Sequence, residues 1–314
     1  MDYLYVAIGL VLLILAGDAL VKGAVNLALR LGIPALIVSL TIVAFGTSAP
    51  EMLISVDAVL KGVPGLALGN VIGSNTANIL LVLGLPALLT GLQTKGCETR
   101  KSYSFMMAGT AWFVVLAFLG GFTWVHALLL LAALALILGD QFIDARRHRR
   151  AGLAAVDIED VEGAAPDMAW WKVIGYLVAG LIGLPVGADL LVEGSTSIAQ
   201  SYGISDEVIG LTLVAVGTSL PELATTLAAA YRRQADVALG NVIGSNMFNL
   251  LAIIGVAALV GPLPVSDRML GFDIWVMVAA SALLAPFVFR MSDITRVWGF
   301  VLTALYVGYV WLIL

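Results

Sequence analysis

The sequence predicts an all-α membrane protein: ten transmembrane helices in two inverted five-helix repeats, with helices 2, 3, 7 and 8 broken. Three observations predict it. Hydrophobic residues make up 61% of the 314 residues and charged residues only 12%. The mean hydropathy is +1.04. A soluble fold of this length cannot bury that much apolar surface, so the bilayer is the solvent for most of the chain. Second, the nine residues Ala67–Asn75 recur letter for letter as Ala238–Asn246, 171 positions later. The same offset carries Gly46–Glu51 (GTSAPE) onto Gly217–Glu222 (GTSLPE), and Asp18 onto Asp189. Third, the basic residues gather on one side of the spans.

Ten apolar segments follow in order, each long enough to cross about 30 Å of hydrocarbon. In the first repeat, 1–143, they are 3–29, 33–60, 64–90, 103–120 and 123–143. In the second, 170–314, they are 170–199, 204–230, 236–260, 270–289 and 294–313. The N-terminus lacks a basic stretch, so the first segment is read as a retained helix rather than a signal peptide. Between the repeats, 144–169 opens on Arg146, Arg147, His148, Arg149 and Arg150 and turns acidic at Asp157, Glu159, Asp160 and Glu162. It is too short and polar for a core and is expected to be a flexible cytoplasmic linker.

Thirteen Lys and Arg residues fall on the side that holds this linker and two, Lys61 and Arg268, on the side of the N-terminus. By the positive-inside rule the linker side is cytoplasmic and both termini lie outside, in a plasma or inner membrane. An odd number of spans per unit then inverts the second copy, the architecture of many secondary transporters. Trp170, Trp171, Trp298 and Trp311 near span ends read as interface anchors. The single cysteine, Cys97, rules out an intrachain disulfide.

The chemistry lies in the repeated motifs. Pro50 has no amide hydrogen and displaces the carbonyl four residues earlier, so the second helix is expected to unwind near Gly46–Ser48 and free backbone carbonyls. Such backbone is tolerated at membrane depth only where protein or a polar cavity satisfies it. Thr47 and Glu51 stand four apart, on one helical face. Gly217, Thr218, Ser219, Pro221 and Glu222 repeat the device. Ser74 with Asn78 and Ser245 with Asn249 add two further pairs at that spacing, after glycines that let helices approach closely. Two carboxylates, hydroxyls, amide oxygens and carbonyls, without sulfur or imidazole, suit hard cations such as Ca²⁺ or Na⁺. A carboxylate near mid-membrane costs ~2.5–3.5 kcal/mol even on the lenient insertion scale, which favours a ligand role for Glu51 and Glu222 over a structural one. Asn70, Asn75, Asn241 and Asn246 read as packing or hinge residues. Asp18 and Asp189 read as structural or gate residues, with Lys22 positioned to pair Asp18. Asp57 reads as a charge at the outer mouth. His126 and His148 have no repeat counterparts, and no His cluster or nucleophile–base arrangement suggests an enzyme.

These motifs resemble the alpha repeats of the sodium/calcium exchanger branch of the calcium/cation antiporter superfamily. The resemblance implies Na⁺/Ca²⁺ exchange by alternating access, with Ca²⁺ and Na⁺ as transported ligands, no cofactor and no nucleic-acid partner. It places central ligands on Glu51 and Glu222, with Thr47, Thr218, Ser48 and Ser219 beside them. It places flanking ligands on Ser74, Ser245, Asn78 and Asn249 and carbonyl ligands on Ala44 and Ala215. Potassium-dependent members carry an acid where this chain has Asn249, so two neutral asparagines argue against K⁺ co-transport. A cation/proton antiporter and a passive cation channel remain the alternatives.

Overall fold

The computed structural model describes residues 1–30, 48–95, 97, 99–150, 164–165, 167–231, 233, 235–289 and 292–314. The first half runs through α1 (Asp2–Arg30), α2 (Ala49–Leu60), α3 (Pro64–Thr90), α4 (Arg100–Phe118) and α5 (Trp124–Arg150). The second holds α6 (Trp170–Tyr202), α7 (Asp206–Thr218), α8 (Leu220–Tyr231), α9 (235–260), α10 (Met269–Phe289) and α11 (Arg296–Ile313). Among the described residues β pairing is confined to two isolated bridges, Leu92 with Ile294 and Phe122 with Leu263.

Seven of these helices, α1, α3, α5, α6, α9, α10 and α11, are long and apolar enough to cross a membrane. The α7–α8 pair, bent by 40°, makes an eighth if counted as one span. Of the other expected segments, 103–120 forms α4, and 33–60 lies partly outside the described residues, reappearing as α2.

Two expectations change. The third and eighth segments were expected to break, yet α3 and α9 are continuous. Each absorbs its misfit in a five-residue π-turn, Asn78–Val82 and Asn249–Ile253. A π-turn widens the helix by one residue without ending it, and such turns gather at functional sites. The expected linker also begins as helix: α5 runs to Arg150, because no proline or glycine stops it after Gly139.

The expected ion pair between Lys22 and Asp18 forms, at 2.6 Å. Asp189, its repeat counterpart, pairs instead with Lys61, which also reaches Asp57 at 3.0 Å. Burial alone would lower the Lys61 pKa, but the two carboxylates more than offset that and hold it above the ordinary lysine value.

Burial sorts the helices into layers. In α3 and α9, 83% of the apolar window is buried, against 33% in α1 and 29% in α6. The centre of the bundle is therefore the pair that carries the repeated ALGNVIGSN motif. Helices α1 and α6 pack lengthwise and antiparallel on each other at its flank. A Cβ on Gly9 would meet the Leu191 backbone, and a Cβ on Gly180 the Leu20 backbone. These two contacts exchange with each other under the 171-residue offset. The four tryptophans expected at the interface are all exposed.

Candidate metal centre

Helices α2 and α8 each carry a fully buried glutamate in the first turn. Pro50 and Pro221 occupy the first turn of each, where the missing amide hydrogen breaks no helical bond and the fixed φ favours helix entry. The residue that joins α7 to α8, Ser219, has φ −80° and ψ 4°. Ser48, at the matching place before α2, has φ −88° and ψ 6°. This bridge conformation is sparsely populated and recurs at active sites. It re-aims the chain so that Glu51 and Glu222 fall in the first helical turn, at the positive end of the helix dipole.

Both glutamates are 0% exposed. The Glu222 carboxylate acts electrostatically on Glu51. Neither Glu51 carboxylate oxygen has a hydrogen bond among the described residues. Burying a charge without compensation costs several kcal/mol, about the scale set by the ion's lost hydration. An ionised Glu51 therefore requires a cation beside it.

The neutral residues around the acids are buried as well: Ser48, Ser74, Asn78, Thr218, Ser219, Ser245 and Asn249 are each no more than 2% exposed. Four of their oxygens, Ser48 Oγ, Ser219 Oγ, Ser245 Oγ and Asn78 Oδ1, lack a hydrogen-bond partner among the described residues, as does the whole Asn249 carboxamide. Buried polar groups are normally satisfied, so this concentration of open acceptors calls for a ligand. Among the described residues no three His, Cys, Asp or Glu side chains converge. A cation here would rest on two carboxylates and neutral oxygens, a hard-ion set.

Among the residues expected at the site, Ser74 Oγ stands 3.5 Å from Thr218 Oγ1. Thr47 and Ala44 lie outside the described residues. Ala215 is buried, but its carbonyl already accepts from Ser219 N at 3.1 Å and from Thr218 Oγ1 at 3.3 Å. In this conformation the Ser219 amide occupies one acceptor position and the Thr218 hydroxyl is shared between this carbonyl and Asn70, because α7 stays helical up to Thr218 and keeps the carbonyl in its own turn.

Asn70, read from sequence as packing, proves to be the hub. Its Nδ2 donates to the Glu51 carbonyl at 3.3 Å and to Ser55 Oγ at 3.2 Å, while its Oδ1 accepts from Thr218 Oγ1 at 3.2 Å. Asn241 repeats the first two bonds, to the Glu222 carbonyl at 3.4 Å and to Thr226 Oγ1 at 3.1 Å. Each asparagine ties a glutamate-bearing helix to α3 or α9. The spacing of 19 residues from acid to asparagine, repeated in both copies, was the available signal.

One buried acid escaped the sequence reading. Asp273 is 0% exposed at the start of α10, accepts from Tyr309 Oη at 3.0 Å and lies 3.7 Å from Arg268 Nε. An ionisable residue in an apolar segment was its signal. It fastens α10 to α11. His126 Nδ1 accepts from the Thr123 amide at 3.3 Å, a local contact at the start of α5.

The model of the family described as "Sodium/calcium exchanger protein" matches residues 1–142 and 172–314. The chain is 36% identical over 325 residues to the "Putative antiporter CaxA" of Alkalimonas amylolytica, covering 99% of this chain and 98% of that one. It is 33% identical over 344 residues to the "Sodium/calcium exchanger MaX1" of Methanosarcina acetivorans, covering 98% and 97%. Among solved structures, the sodium-calcium exchanger NCX_Mj soaked with 2.5 mM Na⁺ and 1 mM Sr²⁺ superposes with a TM-score of 0.64 at 34% identity, covering 98% of this chain and 97% of that one.

Proposed function

The chain belongs to the sodium/calcium exchanger family, and on that premise we propose that it extrudes cytoplasmic Ca²⁺ against entering Na⁺ by alternating access. Members of this family are exchangers, so the protein is a transporter rather than an enzyme. The observations that support the reading are the full burial of both carboxylates, Glu51 and Glu222, and the buried oxygens of Ser48, Ser219, Ser245 and Asn78 that have open acceptor positions among the described residues.

Two carboxylates balance the charge of one Ca²⁺, and 6–8 oxygens are its usual complement. Na⁺ ions compete for the same oxygens, which makes occupancy by the two ions mutually exclusive. An empty site holds two like charges in low dielectric and resists rearrangement; a filled one is neutral. Filling therefore permits α1 and α6 to slide past the core. Their shallow burial beside the deeply buried α3 and α9 supports this division into a moving pair and a fixed centre.

The architecture we infer is ten spans in two inverted repeats, 1–143 and 170–314, with residues 144–169 cytoplasmic and both termini outside. The exchange of the Gly9–Leu191 and Gly180–Leu20 contacts under the 171-residue offset supports a two-fold relation between repeats. The charge bias of thirteen against two supports the orientation.

The test is ⁴⁵Ca²⁺ uptake into Na⁺-loaded proteoliposomes, beside choline-loaded and proton-gradient vesicles. Uptake that requires the outward Na⁺ gradient and vanishes in Glu51→Gln and Glu222→Gln supports the exchanger. Uptake driven equally by a proton gradient assigns the protein to cation/proton exchange, and gradient-independent uptake makes it a channel.

A further inference from the structure

The two copies of the ALGNVIGSN motif are identical in sequence but not in hydrogen bonding. Where α3 crosses α9, Asn78 Nδ2 donates to Asn246 Oδ1 at 3.0 Å, and Asn246 Nδ2 donates to the Asn75 carbonyl at 3.2 Å. Asn246 thus clamps α3 at two points one helical turn apart. It holds the amino group of Asn78 and leaves Asn78 Oδ1, which has no partner among the described residues, as the free end.

The mirror arrangement would have Asn249 donating to Asn75 Oδ1, and Asn75 donating to the Asn246 carbonyl. It is not formed. Asn75 Nδ2 turns back to the Val71 carbonyl at 2.9 Å. Asn75 Oδ1 and both polar atoms of Asn249 have no hydrogen bond among the described residues, although these residues are at most 1% exposed. The atoms that the mirror bond would join are the ones left open. Both π-turns start at the residues concerned, Asn78 and Asn249, so each carboxamide sits where its helix is already widened.

We propose that Asn246 and its repeat counterpart Asn75 are positioning residues for the flanking amides Asn78 and Asn249, engaged one at a time as the transport cycle inverts the site. In the conformation described, the clamp is closed on Asn78, which presents a fixed oxygen to the cation, and open on Asn249. In the opposite conformation Asn75 releases Val71 and closes on Asn249. An identical sequence in two copies provides both halves of the switch, and only the state of the bundle decides which half is made. This rests on the exchange function proposed above, with Asn78 and Asn249 as ligands.

The test is a pair of double-mutant cycles on the full-length protein in proteoliposomes. The readouts are Ca²⁺ half-saturation at each membrane face and maximal flux, with saturable Ca²⁺ binding to the purified protein and its loss in Glu51→Gln as the check on the underlying site. Asn246→Ala should weaken Ca²⁺ half-saturation about 3- to 10-fold, the range for one buried hydrogen bond. It should add nothing in an Asn78→Ala background. Asn75→Ala should behave likewise with Asn249→Ala, at the opposite face. Full additivity in either cycle, equal shifts at both faces, or no shift at all overturns the proposal. A wild-type protein that neither binds Ca²⁺ nor exchanges it would instead refute the exchange reading itself, which the variants do not decide.

Discussion

Asn70 and Asn241 are the same residue of the same motif in two copies, so sequence alone gives Asn70→Ala and Asn241→Ala equal weight. The structure does not. Asn70 makes three hydrogen bonds of 3.3 Å or less, to the Glu51 carbonyl, Ser55 and Thr218, and all are buried. Asn241 makes two, at 3.4 and 3.1 Å, and both are part-buried. Hydrogen bonds between membrane helices average ~0.6 kcal/mol each, which gives about 2 kcal/mol for Asn70 and about 1 kcal/mol for Asn241. Truncation at 70 also strands Ser55, which is 0% exposed, without a donor, and a stranded buried group adds ~1–3 kcal/mol. Truncation at 241 strands Thr226 in the same way, since it too is 0% exposed, so the difference between the two sites rests on the third bond, to Thr218. Asn70→Ala should therefore cost about 3–5 kcal/mol and Asn241→Ala about 2–4 kcal/mol, with Asn70→Ala the larger loss, in equilibrium unfolding by SDS titration. Only the former should loosen the joint that sets Glu51 against Thr218, so its Ca²⁺ uptake should fall much further. Equal losses in stability and in transport would refute the hydrogen-bond accounting.

Four further outcomes are expected. Glu51→Gln should abolish Na⁺-driven Ca²⁺ uptake yet raise resistance to unfolding in cation-free buffer, since it removes one of two like charges from a dry site; SDS titration with and without Ca²⁺ reads both effects. Ca²⁺ uptake should decline on acidification, because protonating either glutamate removes the charge that Ca²⁺ needs, and a flat profile through the carboxylate range would count against a shared site. Lys61, bridging Asp57 and Asp189, ties the end of α2 to α6. Its pKa is raised, so this contribution is fully present below the unfolded lysine value and is lost only as pH climbs through the folded one. Lys61→Met should accordingly speed hydrogen exchange near the end of α2 at neutral pH, and unchanged protection would sink the idea of a clamp. Finally, a Cβ on Gly69 would fall on the Glu207 and Leu211 backbones. Gly69→Ala should thus cost ~1–3 kcal/mol by forcing α3 from α7. Gly308→Ala, where no atom lies within 4 Å of the added carbon, should be neutral or slightly stabilising on the same SDS titration.

Much of this was legible in the chain, for identifiable reasons. A bilayer segment must be apolar over about 20 residues, so spans are written in composition. The prolines at 50 and 221 act through their own covalent geometry, so the kink at Ser219 and the similar backbone of Ser48 could be anticipated. Glu51 and Glu222 stand out because nothing but function or a partner keeps an acid in such company. The continuity of α3 and α9 was not legible. Glycines and asparagines permit a break but do not impose one, and a π-turn differs from a break only in which carbonyl the next amide finds. The helical course of 144–150 was missed because charge composition reports solvation rather than backbone conformation.

The sequence by itself determined the membrane character, the duplicated unit, the two carboxylates and the oxygen chemistry around them, since each follows from residue type and spacing along one chain. Which residue meets which across the bundle was decided by tertiary structure alone. Asn70 became a hub, Lys61 chose Asp189, the Ala215 carbonyl stayed within its helix, and Asn246 closed on Asn78 while Asn75 did not close on Asn249. The physical reason is the duplication. Two identical segments carry identical local information, so any difference between them arises from packing against neighbours that are far away in the chain.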